Sequence, residues 1–276
     1  MFQDIEPYLY HNEFLDRTPT ENDYVFVLNK DKVVLDEKDG ELSLLQFTTL
    51  KSNYPDAIHS LIYLFSVDQS AFFLSMEEII ETDRIRHKDI HVFREMKPTW
   101  LAFAGATAYH LAHWYDTHRY CGRCAGTFER KKDERAVVCP SCGNIDYPRI
   151  SPCVIVGIIH GDYILLTKYA ANYKRFALVA GFVEIGETLE AAIRREVMEE
   201  VGLKVKNIRY YKSQPWAFSS SLLAGFFADL DGDDQITLDT KELSEAVWMH
   251  RNAIPSNDSS LSLTWNMIET FRNVNE

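Results

Sequence analysis

Four of the five cysteines form two C-x-x-C pairs, Cys121/Cys124 and Cys139/Cys142, with fourteen residues between the pairs. A C-x-x-C turn puts two thiolates on one side of a tetrahedron. Two such turns supply four sulfurs and leave no open position for a catalytic water. The intervening segment is polar and hairpin-like, which is zinc-ribbon spacing, so these four cysteines are expected to bind one structural Zn²⁺ per chain. A redox pair is the weaker alternative, because no βαβ pattern surrounds either C-x-x-C. The start, MFQDIEPYLYHNEF, lacks a basic-then-apolar leader, and no window approaches the roughly 20 apolar residues that a spanning helix needs. A cytoplasmic chain without membrane contact is therefore expected, where clustered thiols serve metal ligation rather than disulfides. Cys153, beside Val154-Ile155-Val156, reads as a core thiol in a strand.

With 276 residues, 46% hydrophobic and 25% charged, the chain is globular and long enough for more than one domain. Residues 20–95 alternate short apolar runs with charged turns, as in Tyr24-Val25-Phe26-Val27-Leu28 and Lys32-Val33-Val34-Leu35, and predict a β-rich N-terminal domain over 1–97. Residues 98–119 read as a linking helix that is apolar nearly all round and hence buried, with His110, His113 and His118 as structural residues. The ribbon spans 120–148. The remainder, 149–276, opens with two strands joined at His160-Gly161-Asp162 and a third run over 176–180. A helix over 188–201 stopped by Gly202, two further strands and a C-terminal helix over 260–273 follow. The fold class is α+β, with a mixed sheet in the C-terminal domain.

Along the 188–201 helix, Glu196, Glu199 and Glu200 stand at i, i+3 and i+4, so all three carboxylates share one face. Like charges at that spacing repel. The face is either solvated surface or a site for a divalent cation with oxygen preference, Mg²⁺ or Mn²⁺. Ile193, Val197 and Val201 form the neighbouring stripe that packs the helix down. The net charge of -12, from 29 Lys and Arg against 41 Asp and Glu, repels polyanions in bulk. Any phosphate must be met through bound cations or local bases such as Arg130-Lys131-Lys132 and Lys174-Arg175, which otherwise read as solvated turns.

The stretch from Gly181 through Glu187, Arg195, Glu196, Val197, Glu199, Glu200 and Gly202 to Leu203 matches without a gap the G-x5-E-x7-R-E-U-x-E-E-x-G-U box of the Nudix hydrolases. It fixes nine positions over 23 residues. The resemblance implies a Nudix α/β/α sandwich and hydrolysis of a nucleoside diphosphate linked to another moiety. Ser213-Gln214-Pro215-Trp216-Ala217-Phe218-Ser219-Ser220-Ser221 in turn resembles the S-Q-P-W-P-F-P-x-S element of the NADH pyrophosphatase family, which also removes NAD caps from RNA 5′ ends. A zinc ribbon directly before the box belongs to the same architecture. Ala217 and Ser219 depart from the family prolines, and losing two fixed φ angles should loosen the segment.

The family resemblance implies roles residue by residue. Glu196 and Glu200 would ligate catalytic Mg²⁺ or Mn²⁺, the Ala180 carbonyl and Glu242 of Lys241-Glu242-Leu243 would contribute, and Glu199 would be a further ligand or the base. Residues Gln214, Pro215, Trp216, Ala217, Phe218, Ser219, Ser220 and Ser221 would line the nucleotide site, with Trp216 and Phe218 offering rings to a base. Glu134, Tyr147, Phe182 and Thr264 fall at substrate-contacting positions, and Arg195 would hold Glu187. The resemblance further implies NADH and NAD⁺ as substrates, giving NMN(H) and AMP, capped RNA as a further one, and a homodimer. Two other readings stay open: a Nudix hydrolase of another nucleoside diphosphate derivative such as ADP-ribose, and a non-catalytic nucleotide- or RNA-binding module.

Overall fold

Alternation of side chains across strands and helix-period stripes lead to an α+β chain, and the computed structural model describes it over residues 1–170, 175–256 and 261–273. Lys174 of the basic pair and Ser260 at the start of the expected last helix lie outside the described residues. Two compact units emerge, one of Gln3–Arg149 with Ala217–Ser220, the other of Met1–Phe2, Ile150–Trp216 and Ser221–Glu276.

In the first unit the β-branched and aromatic runs become β1 (Tyr10–His11), β2 (Tyr24–Asn29), β3 (Lys32–Lys38), β4 (Glu41–Gln46), β5 (Ile62–Val67), β6 (Ser70–Ser75) and β7 (Ile85–Lys88). Among the described residues they form a seven-stranded sheet in the order β1-β5-β6-β2-β4-β3-β7, with β2 also pairing β3. Val25, Val27, Val34, Leu45, Phe73 and Ile85 from its strands share one buried cluster with Leu50 of helix α1 (Phe47–Asn53).

Helix α2 (Thr99–Thr117) buries residues on several sides, Leu101 through Ala106 together with Ala108, Ala112, Trp114 and Tyr115, as an all-round apolar sequence requires. Its histidines are engaged locally. His110 Nε2 meets the Arg149 carbonyl at 3.0 Å, and His113 stacks on Tyr109 with centroids 5.9 Å apart. His118 Nδ1 meets the Trp114 carbonyl at 2.9 Å. A small sheet follows, β8 (Glu129–Arg130), β9 (Val137–Val138) and β10 (Ile145–Asp146), in the order β10-β9-β8.

The second unit holds β11 (Ser151–His160), β12 (Tyr163–Tyr169), β13 (Val179–Phe182), helix α3 (Leu189–Val201), β14 (Val205–Trp216), β15 (Ser221–Leu230), β16 (Leu243–His250) and helix α4 (Leu263–Asn273). Its sheet runs β14-β15-β11-β12-β16, with β13 on β11; β11 and β15 are parallel, the remaining pairs antiparallel. Period-two alternation sorts β11 onto two cores. Val154, Val156 and Ile158 pack with Ile193, Val197 and Val201 of α3, whereas Ile155 packs with Leu263, Met267, Ile268 and Phe271 of α4. One helix therefore covers each face, the α/β/α sandwich that the family resemblance implies.

Three elements of the second unit differ from the sequence reading. The run expected over 176–180 makes one isolated bridge at Ala177 to Thr167 of β12, becomes a strand at Val179 and continues through Gly181 to Phe182, opposite Cys153. Strand β14 extends to Trp216, with register shifts between Lys206 and Arg209 and between Tyr210 and Lys212, so Ser213 to Trp216 are paired strand residues. Strand β16 has no sequence counterpart, because its burial does not alternate.

Both ends of α3 follow from local chemistry. The Thr188 hydroxyl accepts from the Ala191 N–H at 3.1 Å, and Gly202 takes φ +69° and donates to the Met198 carbonyl at 3.1 Å. A Cβ at position 202 would lie 2.7 Å from Thr237 Cβ, on a backbone that L side chains rarely adopt. Gly202→Ala is expected to destabilise the fold by about 1–3 kcal/mol in denaturant unfolding; an unchanged midpoint would contradict the cap.

Candidate active site and zinc centre

The four ribbon cysteines bring their sulfurs within 4.8 Å of one another, and among the described residues no other set of three or more His, Cys, Asp or Glu side chains gathers its ligand atoms so tightly. The Sγ atoms of Cys121 and Cys142 are 3.6 Å apart, and those of Cys124 and Cys139 are 3.4 Å apart. A tetrahedron with Zn–S bonds of about 2.3 Å has edges of about 3.8 Å. The sulfurs thus stand at zinc-ligand spacing, with none of them in a disulfide. Burial resists ionisation of Cys121, yet the backbone N–H groups of Arg123 and Cys124 and the Cys142 thiol outweigh it and pull the thiol down to about 6. The ribbon fits a structural Zn²⁺.

On α3 the three carboxylates have different surroundings. Glu200 is 3% exposed, Glu196 half-buried and Glu199 exposed. Burial, then the Glu196 charge, pushes Glu200 up to about 8; the Ala180 N–H opposes the shift, and Glu242 and Asp239 add to it. Among the described residues its Oε2 is buried without a hydrogen-bond partner. A buried carboxylate oxygen with no partner, in a field of like charges, is a group that a bound divalent cation would satisfy. Burial also raises Glu196; Arg195 opposes, and Glu199 and Glu242 add. These donors fit Mg²⁺ or Mn²⁺.

The close approach of β13 to α3 depends on Gly181, since a Cβ there would lie 2.0 Å from the Glu196 Cδ and Oε1 atoms. The clash falls on the far end of a flexible side chain, so Gly181→Ala should move the Glu196 carboxylate rather than unfold the domain. Turnover is expected to fall about 100-fold with the melting temperature nearly unchanged, the cost of misplacing a reacting group by about 1 Å. Unimpaired turnover would remove Glu196 from the site.

Arg195 ties the face together. Its Nε and Nη2 grip both Glu187 oxygens at 2.7 and 2.9 Å, as the sequence reading expects. Nη1 also reaches Glu196 at 2.7 Å and Glu199 at 3.0 Å, and Nη2 donates to the Phe182 carbonyl at 2.9 Å. Arg195 and the Glu184 N–H together hold Glu187 down to about 2. Lysine cannot reproduce this fork. Arg195→Lys is expected to weaken Mn²⁺ binding about 10–100-fold, read by electron paramagnetic resonance; equal affinity would leave Arg195 a surface residue.

Residues 149–271 match the NUDIX domain family and residues 116–147 the NADH pyrophosphatase zinc ribbon domain. The chain carries a NUDIX domain and an NADH pyrophosphatase zinc ribbon. It is 48% identical over 146 residues to a protein named NAD-capped RNA hydrolase NudC of Shigella dysenteriae, and 47% identical over 146 residues to the like-named protein of Salmonella paratyphi C. Each match spans 52% of this chain and 56% of the relative, so the chain spans about half the length of the curated relatives it matches. A solved NUDIX hydrolase from Nitrosomonas europaea aligns at 25% identity and TM-score 0.48, over 56% of this chain and 90% of that one.

Around the NUDIX carboxylates, Ala180 pairs with Ile155 and donates its N–H to Glu200. Glu242 is exposed, and its charge acts on Glu196 and Glu200. Asp239 escaped the sequence reading, although its N–H bonds the Glu200 carbonyl at 2.9 Å and its charge acts on that carboxyl. Its place two residues before Lys241-Glu242-Leu243 is the signal that could have found it. Cys153 is buried as expected, and burial followed by the Glu196 and Glu200 charges pushes its thiol up to about 11.

The expected substrate segment divides. Gln214 is fully buried, its Nε2 donating to the Leu261 carbonyl at 2.9 Å and its Oε1 accepting from the Leu263 N–H at 2.7 Å, so its amide joins β14 to the start of α4. Ser221 is buried at the head of β15, Pro215 and Ser219 are exposed, and Trp216, Ala217, Phe218 and Ser220 are half-buried. Phe182 is 51% exposed, as a stacking ring needs, and Thr264 is half-buried on α4. In the ribbon, Tyr147 donates its hydroxyl to Glu134 Oε1 at 3.2 Å, and Lys131 pairs with the same oxygen.

Proposed function

We propose that this chain hydrolyses the pyrophosphate bond of NADH and NAD⁺ to NMN(H) and AMP, and removes NAD caps from RNA 5′ ends by the same reaction. The observation that carries the reading is the buried, unpartnered Glu200 oxygen on a complete NUDIX carboxylate face. It is supported by an NADH pyrophosphatase ribbon immediately upstream and by relatives named for NAD-capped RNA. A module that only binds has no need for three carboxylates held on one face against their own repulsion.

Glu196, Glu200 and Glu242 would hold Mg²⁺ or Mn²⁺, which when bound neutralises the pyrophosphate and activates a water. Glu199 or Glu200 takes that water's proton as its oxygen attacks phosphorus; the bridging P–O bond breaks, and its electron pair leaves with the departing phosphate. Arg195 keeps Glu196 and Glu199 in place and Glu187 bound to the helix. Trp216 and Phe182 offer faces for the bases, Glu134 and Tyr147 offer polar contacts, and Thr264 lies at the start of α4. The reading takes residues 1–97, 98–119, 120–148 and 149–276 as the functional divisions, carries a homodimer over from the resemblance, and takes the location as cytoplasmic. No helix among the described residues is long and apolar enough to cross a membrane.

The test is a competition assay in which NADH, NAD⁺, ADP-ribose and a short NAD-capped RNA are offered with Mg²⁺ or Mn²⁺. Preferred cleavage of the NAD-containing substrates is expected. Cleavage of ADP-ribose alone would replace the substrate assignment, and binding without turnover would replace the enzyme by a recognition module.

A further inference from the structure

We infer that the short 3-10 helix Ile90–Arg94 is a positioning element for the substrate segment, acting through a clamp of His91 and Arg94 on the Phe218 ring. The inference rests on reading residues 214–221 as the nucleotide-contacting segment. His91 and Arg94 lie outside both matched domains, and nothing in the sequence motifs points to them.

Phe218 sits in the 3-10 turn Ala217–Ser219, followed by Ser220 at φ +50°. Ala217 and Ser219 leave this turn without the proline rings that would fix its backbone. Instead the His91 ring stacks on Phe218, with centroids 5.6 Å apart and planes 23° from parallel. The Arg94 guanidinium carbon lies 4.6 Å from the Phe218 centroid, inside the cation–π range of about 6 Å.

The spacing explains the shared target. Ile90–Arg94 is a 3-10 helix, with three residues per turn, so side chains three apart eclipse and both reach one ring. The clamp is itself held firmly. The Asp89 carboxylate caps this helix by accepting the His91 N–H at 2.9 Å, and it also meets the His91 ring Nδ1. Between the clamp residues, Phe93 is fully buried against Gly105 of α2, where an added Cβ would fall 2.3 Å from its ring. The helix therefore cannot slide without moving a packed aromatic. Phe218 spends its ring on this contact and acts as an anchor for its neighbours.

The test compares wild type, the double variant His91→Ala/Arg94→Ala, and the conservative Arg94→Lys, as full chains with Zn²⁺ in the ribbon. The double variant is expected to raise KM for NADH about tenfold, the scale of one such contact, with kcat within about twofold. Backbone amide exchange over residues 217–220 should accelerate while that of α2 and α3 stays unchanged. Arg94→Lys, which keeps a cation over the ring, should restore KM. An unchanged KM in the folded double variant would overturn the inference, as would kcat falling while KM holds. Should wild type fail to cleave NADH, the proposed function fails; faster exchange at 217–220 would then still support the clamp, and unchanged exchange would overturn it.

Discussion

Glu200→Gln is expected to lower kcat/KM for NADH by about 10³-fold or more, equivalent to about 4 kcal/mol of transition-state stabilisation, while leaving the fold intact. The side chain is 3% exposed, so glutamine must fit the same space, and it is nearly isosteric. Its carbonyl can keep the hydrogen bond from Ala180, and removing the charge relieves repulsion from Glu196, Glu242 and Asp239. The melting temperature should stay level or rise, which separates a lost cation ligand from a damaged helix. Unchanged turnover would dismiss the assigned face, and a collapsed melting temperature would make Glu200 a structural residue.

Cys139→Ser is expected to strip the ribbon of zinc. Cys139 is fully buried and its sulfur stands 3.4 Å from that of Cys124. A serine hydroxyl neither reaches zinc-ligand distance nor ionises near neutral pH, so three sulfurs remain and a buried hydroxyl is left without a partner. Strands β8, β9 and β10 are two residues each, too short to stand without the metal that joins their turns. Zinc by emission spectrometry should fall from one per chain to near zero, and the melting temperature should drop. Retention of stoichiometric zinc would refute the four-sulfur site.

The parts of this fold that were legible in the sequence are those written in local chemistry. Helix α3 could be bounded because Thr188 and Gly202 act on backbone groups within one turn of themselves, whereas the pairing of Arg195 with Glu187 was legible only through the resemblance to the Nudix box. The two faces of β11 follow from strict alternation. What stayed hidden depends on pairing across long separations. Gln214 reads as a polar site residue until Leu261 and Leu263, 47 and 49 positions away, are seen to use its amide. Phe218 reads as an open stacking ring until His91 and Arg94 are found against it. Strand β14 runs on to Trp216 because β15 offers it partners, and no propensity within Ser213-Gln214-Pro215-Trp216 announces that. The short helix α1, with one buried residue, carries too little periodicity to be read at all.

The most direct measurement is chromatographic quantitation of the products when the full chain, loaded with Zn²⁺, meets NADH and Mn²⁺ or Mg²⁺ in ¹⁸O-labelled water, with Glu200→Gln in parallel. Equimolar AMP and NMNH are expected, with a single ¹⁸O entering at phosphorus and production abolished in the variant. Release of free nicotinamide, or equal AMP production by wild type and Glu200→Gln, would contradict the assignment of the NUDIX carboxylate face as the site of pyrophosphate hydrolysis.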